Sequence, residues 1–249
     1  MRAMILAAGR GERMRPLTDT TPKPLLPAGG KPLIAWHLER LEAAGITDIV
    51  INHAWLGDRL EAALGDGAAY GVRLRYSAEG TALETAGGIA QALAMLGEEP
   101  FLVVNGDIWC DWDPAQAASL ARGIDGVSAL AWLLLVDNPA HHPHGDFHLR
   151  PDGALVPGPR TAVAGTEPAA ATALAPPPGE RLTFSGIGIY HPALFDGIAR
   201  GTAARLGPLL AHAIARGAAR GHRHTGYWID VGTPERLAEL DARLRTGAC

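Results

Sequence analysis

The segment AAGRGERMRPLT (residues 7–18), followed by TPKPLLP (21–27), holds the residues most suited to phosphate chemistry. Gly9 and Gly11 let backbone N–H groups approach an anion closely, and Arg13, Arg15 and Lys23 bring charge behind them. It is not a P-loop, because no Gly-Lys-Ser or Gly-Lys-Thr closes it. Nor is it a dinucleotide fingerprint, since Met14 stands where a third glycine is required. A lone Gly-x-Gly is more simply a turn among solvated charges. The Pro-Leu-Thr and Pro-Lys-Pro pieces favour a binding loop, because their prolines rigidify the path that brings Lys23 back toward the glycines.

Two carboxylates stand where a metal would be useful. Asp107, in NGDIW, follows a buried strand, and Asp230, in WIDVGTPERL, precedes the last helix. Magnesium takes one or two carboxylates plus phosphate oxygens and water, so the pair suffices if it meets. Taken singly, each is equally well a turn or helix-start residue, and spacing does not bring them together. Between them lies SAEGTALETAGG (77–88), whose small residues and Thr85 open a helix against which a nucleotide can pack. The cluster HHPHGDFH (141–148) lacks helical i,i+4 spacing among its first three histidines and is broken by Pro143. It reads as a polar loop rather than a zinc site. Cys110 and Cys249 have no metal or redox spacing and are expected to be reduced and non-catalytic.

The elements that must position these residues alternate between strand and helix. Strands are expected at 3–8, 48–53, 72–77 and 101–105, and helices at 32–45, 55–64 and around Ile89, Leu93 and Leu96. This predicts an α/β fold: a mainly parallel, Rossmann-like mixed sheet with helices on both faces. In such sheets ligands lie beyond the carboxyl ends of the strands, here after Ala8, Ser77 and Asn105. The later half predicts a long strand at 127–136, a hairpin around 151–153, a loose loop at 157–179, a strand at 182–190, and helices at 206–216 and from Thr233 onward. One domain over 1–249 is expected, its pattern changing at about 126.

Composition narrows the partners. The 22 basic and 26 acidic residues leave a net charge of -4, which argues against nucleic acid and anionic membrane as partners. The apolar run at 3–8 is too short for a signal or a span, so a soluble cytoplasmic protein is expected.

The glycine turn, its arginine, Pro-Leu-Thr and Pro-Lys-Pro resemble the signature of the sugar-phosphate nucleotidyltransferases. That likeness implies a magnesium-dependent enzyme joining a nucleoside triphosphate to a sugar 1-phosphate, with a nucleotide-binding part to about 125 and a sugar-binding part from about 126. It places Ala8, Gly9, Gly11 and Glu12 in the nucleotide loop, Arg13 on the β- and γ-phosphates and Lys23 at the α-phosphate, and makes Asp107 and Asp230 the Mg2+ ligands. Glu79 and Thr85 would meet the base, Asn105 the nucleotide, and Gly145, Asp146 and Gly186 the sugar. INHAWLGD (51–58), LETAGG (83–88), VVNGDIW (103–109), GDFHL (145–149) and FSGIGIY (184–190) are most like the subgroup that uridylylates N-acetylmuramic acid 1-phosphate in cell-wall recycling, which implies UTP. Glucose- or mannose-1-phosphate nucleotidyl transfer, or a non-catalytic regulator on the same fold, are the alternatives. Two departures stand out. Glu84 occupies a position where many relatives have glycine, and GPR at 158–160 replaces a Glu-Lys-Pro whose lysine reaches the sugar phosphate, leaving metal or an arginine to neutralise it.

Overall fold

The computed structural model describes residues 1–156 and 179–247. Residues 157–178 of the predicted 157–179 loop, with Gly158 and Arg160, and Cys249 lie outside the described residues. In chain order the strands are β1 (Ala3–Leu6), β2 (Pro27–Ala28), β3 (Lys31–Pro32), β4 (Asp48–His53), β5 (Arg73–Ala78), β6 (Phe101–Asn105), β7 (Ile108–Cys110), β8 (Ala131–Val136), β9 (Phe147–Leu149), β10 (Leu155–Val156), β11 (Glu180–Tyr190), β12 (Ala219–Arg223) and β13 (Trp228–Asp230). The helices are α1 (Leu33–Ala43), α2 (Gly57–Leu64), α3 (Glu84–Leu96), α4 (Ala117–Ala121), α5 (Leu206–Ala215) and α6 (Pro234–Arg245).

The central sheet runs β10-β9-β11-β6-β1-β4-β5, with β8 on β11 and β12 on β8. β6, β1, β4 and β5 are mutually parallel, whereas β11 is antiparallel to β6, β8 and β9, so the predicted mixed, mainly parallel α/β sheet is present. Its alternation sets the layers. Ala3 and Ile5 of β1 point to one face, with Leu102 and Val104 of β6, beneath Leu38 of α1 and Leu60 of α2. Met4, Phe101 and Val103 point to the other, beneath Ile89 of α3 and Leu210 of α5. A third cluster joins distant parts of the chain, packing Met14, Leu26 and Leu33 against Trp109, Ile229, Val231 and Leu240.

Some boundaries move. The first-helix prediction starts at Pro32, but Pro32 is the extended N-cap and α1 begins at Leu33. The strand predicted at 127–136 begins only at Ala131. Asp125 Oδ1 accepts the N–H groups of Val127, Ser128 and Ala129 and closes a turn that leaves Val127 77% exposed. The Ser128 hydroxyl and then those amides hold the Asp125 carboxyl well below the usual range. The β9–β10 hairpin forms where it was expected, and α6 starts as predicted, with Thr233 Oγ1 accepting the Arg236 N–H.

Candidate active site

The carboxyl ends of β1, β4, β5 and β6 open on one cavity of about 410 Å³, at the sheet edge where ligands were expected. Ala8, Gly9, Lys23, Glu79, Thr85, Asn105 and Asp107 all line it. Lys23 is 8% exposed and its ammonium donates to Asp107 Oδ2 at 2.6 Å, joining the proline-rigidified loop to the turn after β6. That turn requires a small residue. The Gly106 N–H bonds the Leu6 carbonyl at 2.8 Å, and a Cβ at Gly106 would sit 2.8 Å from the same oxygen.

Gly11, Glu12 and Arg13 lie just outside the cavity lining. Gly11 is left-handed (φ 67°), its carbonyl accepts the Thr18 hydroxyl at 2.8 Å, and a Cβ there would press on Thr18 and Lys23. Glu12 and Arg13 follow in a single 3-10 turn. Arg13 is exposed and has no ion pair or hydrogen bond among the described residues.

Glu79 turns inward. Its Oε1 accepts from Asn52 Nδ2 at 2.5 Å and its Oε2 from the Leu83 N–H at 2.8 Å, while Asn52 Oδ1 accepts the Ala7 N–H at 2.9 Å. This partly buried bridge ties the loops after β1 and β5 to the end of β4. Sequence reasoning missed Asn52, whose one signal was a polar residue near the end of an apolar strand. It also missed Trp55 and Arg59, which donate to the Thr18 and Thr20 carbonyls and brace the glycine loop against the start of α2.

Asp107 and Asp230 meet through their backbones. The Val231 N–H bonds the Asp107 carbonyl at 2.7 Å, and Asp230 pairs with Ile108 across the β7–β13 ladder. Their side chains diverge. Asp230 accepts from Arg236 Nη1 at 2.6 Å, lies 3.0 Å from His141 Nε2, and borders a separate cavity of about 340 Å³ with both. Each offers the hard carboxylate oxygens that magnesium takes, but at different places: Asp107, 43% exposed, at the first cavity beside Lys23, and Asp230 at the other beside Arg236 and His141. The histidine cluster disperses, His141 to Asp230, His142 to Asp146 and His148 to the Gly179 carbonyl. Cys110 is buried, which pushes its thiol up to about 11 and makes it a poor nucleophile.

A second cavity of about 340 Å³ shares Glu84, Thr85 and Asn105 with the first and adds Asp146, Phe147, Phe184 and Arg205. Asp146 Oδ2 accepts the Phe184 N–H at 2.8 Å, fixing this edge to β11. Gly145 (φ 55°) and Gly186 (φ 86°) are not in its lining; a Cβ on Gly186 would sit 2.7 Å from Nδ2 of Asn105, which is, whereas one on Gly145 would meet Asn138 and Leu182, which are not.

A glycine loop with a buried lysine paired to a half-exposed aspartate, opening onto two joined cavities, suits a triphosphate and a second phosphorylated substrate. Comparison with known proteins agrees. Residues 2–247 match the family described as nucleotidyl transferase. The chain is 55% identical, over 97% of both chains, to an N-acetylmuramate alpha-1-phosphate uridylyltransferase of Neisseria meningitidis. It is 36% identical to one of Caulobacter vibrioides, over 97% of this chain and 96% of that protein. The fold is shared with HddC from Yersinia pseudotuberculosis complexed with GMP-PN, at TM-score 0.73 and 19% identity over 97% of this chain and 98% of that one. An apo UDP-glucose pyrophosphorylase shares it too, at TM-score 0.74 and 18% identity over 100% of both chains. The chain therefore belongs to the nucleotidyl transferase family.

Proposed function

We propose that this protein transfers a uridylyl group from UTP to N-acetylmuramic acid 1-phosphate, giving UDP-N-acetylmuramic acid and pyrophosphate in the cytoplasm. The observation that carries the reading is the full-length 55% identity to a uridylyltransferase of that sugar phosphate. The joined cavities supply a place for each substrate. A phosphate oxygen of the sugar attacks the α-phosphorus in line. The bond from that phosphorus to the bridging oxygen breaks, and the electron pair leaves on pyrophosphate. Lys23 faces the α-phosphate, where charge changes most; Arg13, exposed and without a partner among the described residues, folds over the β- and γ-phosphates. Asp107 and Asp230 would hold magnesium, which supplies charge neutralisation to the phosphates. No covalent nucleophile is needed, since positioning and charge carry the chemistry.

The test is pyrophosphate release from four nucleoside triphosphates against a panel of sugar 1-phosphates with magnesium. UTP with N-acetylmuramic acid 1-phosphate should give the highest kcat/KM, and a preference for GTP with mannose 1-phosphate would overturn the substrate assignment. Asp107→Asn and Asp230→Asn should each lower the rate far more than the urea midpoint, because shape is kept while a negative ligand is lost. Near-normal rates for both at saturating magnesium would remove the metal assignment.

A further inference from the structure

The proposed sugar differs from N-acetylglucosamine by one group, a lactyl ether that ends in a carboxylate. An enzyme selective for it needs a cation placed for that carboxylate and not for the phosphate. In the cavity that adjoins the nucleotide site, Arg205 is the one cation among the described lining residues. Lys23, in the neighbouring cavity, is already engaged by Asp107.

Arg205 is free to act. Its side chain is 79% exposed, and its nearest charged partner, Glu84, lies 3.7 Å away, an ion-pair contact beyond hydrogen-bond range. It makes no hydrogen bond to any other described residue, so the donors of its guanidinium fork remain available for bidentate pairing with a carboxylate. Its backbone is the extended N-cap of α5, whose first turn carries no acidic residue. The other acid of this cavity, Asp146, is held by the Phe184 N–H and His142, and so does not compete for the guanidinium. Phe147, Phe184 and Leu206 supply apolar wall beside it for a methyl group.

Resting on the substrate reading above, we infer that Arg205 is a specificity-determining residue that binds the lactyl carboxylate of the sugar substrate and separates it from its neutral counterpart. The interaction is made equally in ground and transition states, so it acts on sugar affinity rather than on the chemical step.

The experiment compares N-acetylmuramic acid 1-phosphate and N-acetylglucosamine 1-phosphate, each with UTP, for the wild type, Arg205→Ala and Arg205→Lys. Arg205→Ala should raise KM for the acidic sugar on the order of tenfold, as loss of a charge-assisted pair at an exposed site implies. KM for the neutral sugar, kcat and KM for UTP should stay within twofold or so, and thermal unfolding should not move. Arg205→Lys should recover part of the discrimination. A wild type that prefers the acidic sugar, with an Arg205→Ala variant that keeps the preference or loses affinity for both sugars alike, overturns the role of Arg205 alone. A wild type that does not prefer the acidic sugar overturns the substrate reading, and this role with it.

Discussion

Lys23 and Arg13 stand ten positions apart in different surroundings, and they should fail differently when shortened. Lys23 is buried, paired with Asp107 and in the cavity lining, where the proposed function puts the reacting phosphate; Arg13 is exposed and unpaired among the described residues. Lys23→Ala should chiefly lower kcat, by about 2.7–4 kcal/mol if it resembles loss of one oxyanion donor. Arg13→Ala should weaken UTP binding as well as the rate, since a multidentate hold on the leaving phosphates exists in both states. Calorimetric UTP titration beside saturated rates checks both, and a Lys23→Ala enzyme with normal kcat and poor UTP affinity would exchange the two roles. Asn52 is a different kind of residue, structural in what it touches and functional in what it aligns. Asn52→Leu strands the Ala7 N–H and one oxygen of Glu79, so it should cost about 1–3 kcal/mol in urea unfolding. It should also lower activity at saturating substrate, because the loops after β1 and β5 lose their common tie.

At the scale of elements, α3 begins under strain. Glu84, its first residue, has φ 60°, a left-handed conformation that is easy for glycine and costs other residues about 1–2 kcal/mol. Its one ion pair among the described residues is the long, exposed contact to Arg205, which stabilises little. Glu84→Gly should therefore raise stability by up to about 1 kcal/mol, the released strain being partly offset by unfolded-chain entropy. A lower melting temperature would show that the Glu84 side chain holds the helix start. The same helix shows what was legible beforehand. The Glu84 departure was visible in the sequence, but its backbone angle was not. β4 and β6 were read to the residue, because buried apolar runs bounded by charge, Gly or Pro leave little choice. The predicted strand at 127–136 is too long, because Val127, Ala129 and Leu130 look apolar while Asp125 captures the Val127, Ser128 and Ala129 amides. Of the site, the cavity-lining residues were legible from motif and strand end. Asn52 and Arg205 were not, because one polar residue after an apolar run, or one arginine before a helix, carries no spacing signal.

Across the whole molecule, one buried group sets an acid limit. His37 of α1 lies between that helix and the β7 region, and burial, reinforced by Arg40, pushes its pKa down to about 4, with the Ile108 backbone and Asp107 opposing. The folded protein keeps it neutral while the unfolded chain takes up a proton below its ordinary 6.5. Its stabilisation is complete above pH 6.5 and is lost as pH falls toward 4, roughly 3 kcal/mol in all. His37→Gln cannot titrate, so its urea midpoint should fall less steeply between those pH values than the wild type's. Parallel curves for the two proteins would remove His37 as the cause.

The third hydrophobic cluster closes the glycine loop with residues made far later. Met14 and Leu26 are covered by Ile229, Val231 and Leu240, and the Gly29 N–H is received by Asp241, 212 positions on. At ribosomal speeds of roughly 5–20 residues per second, Lys23 waits about 10–40 s before its supporting wall emerges. A nascent chain can thus build its sheet from β1 to β11 and still lack a formed nucleotide loop. On the proposed function, catalytic competence should therefore arrive only with α6, at a late moment of the protein's own synthesis.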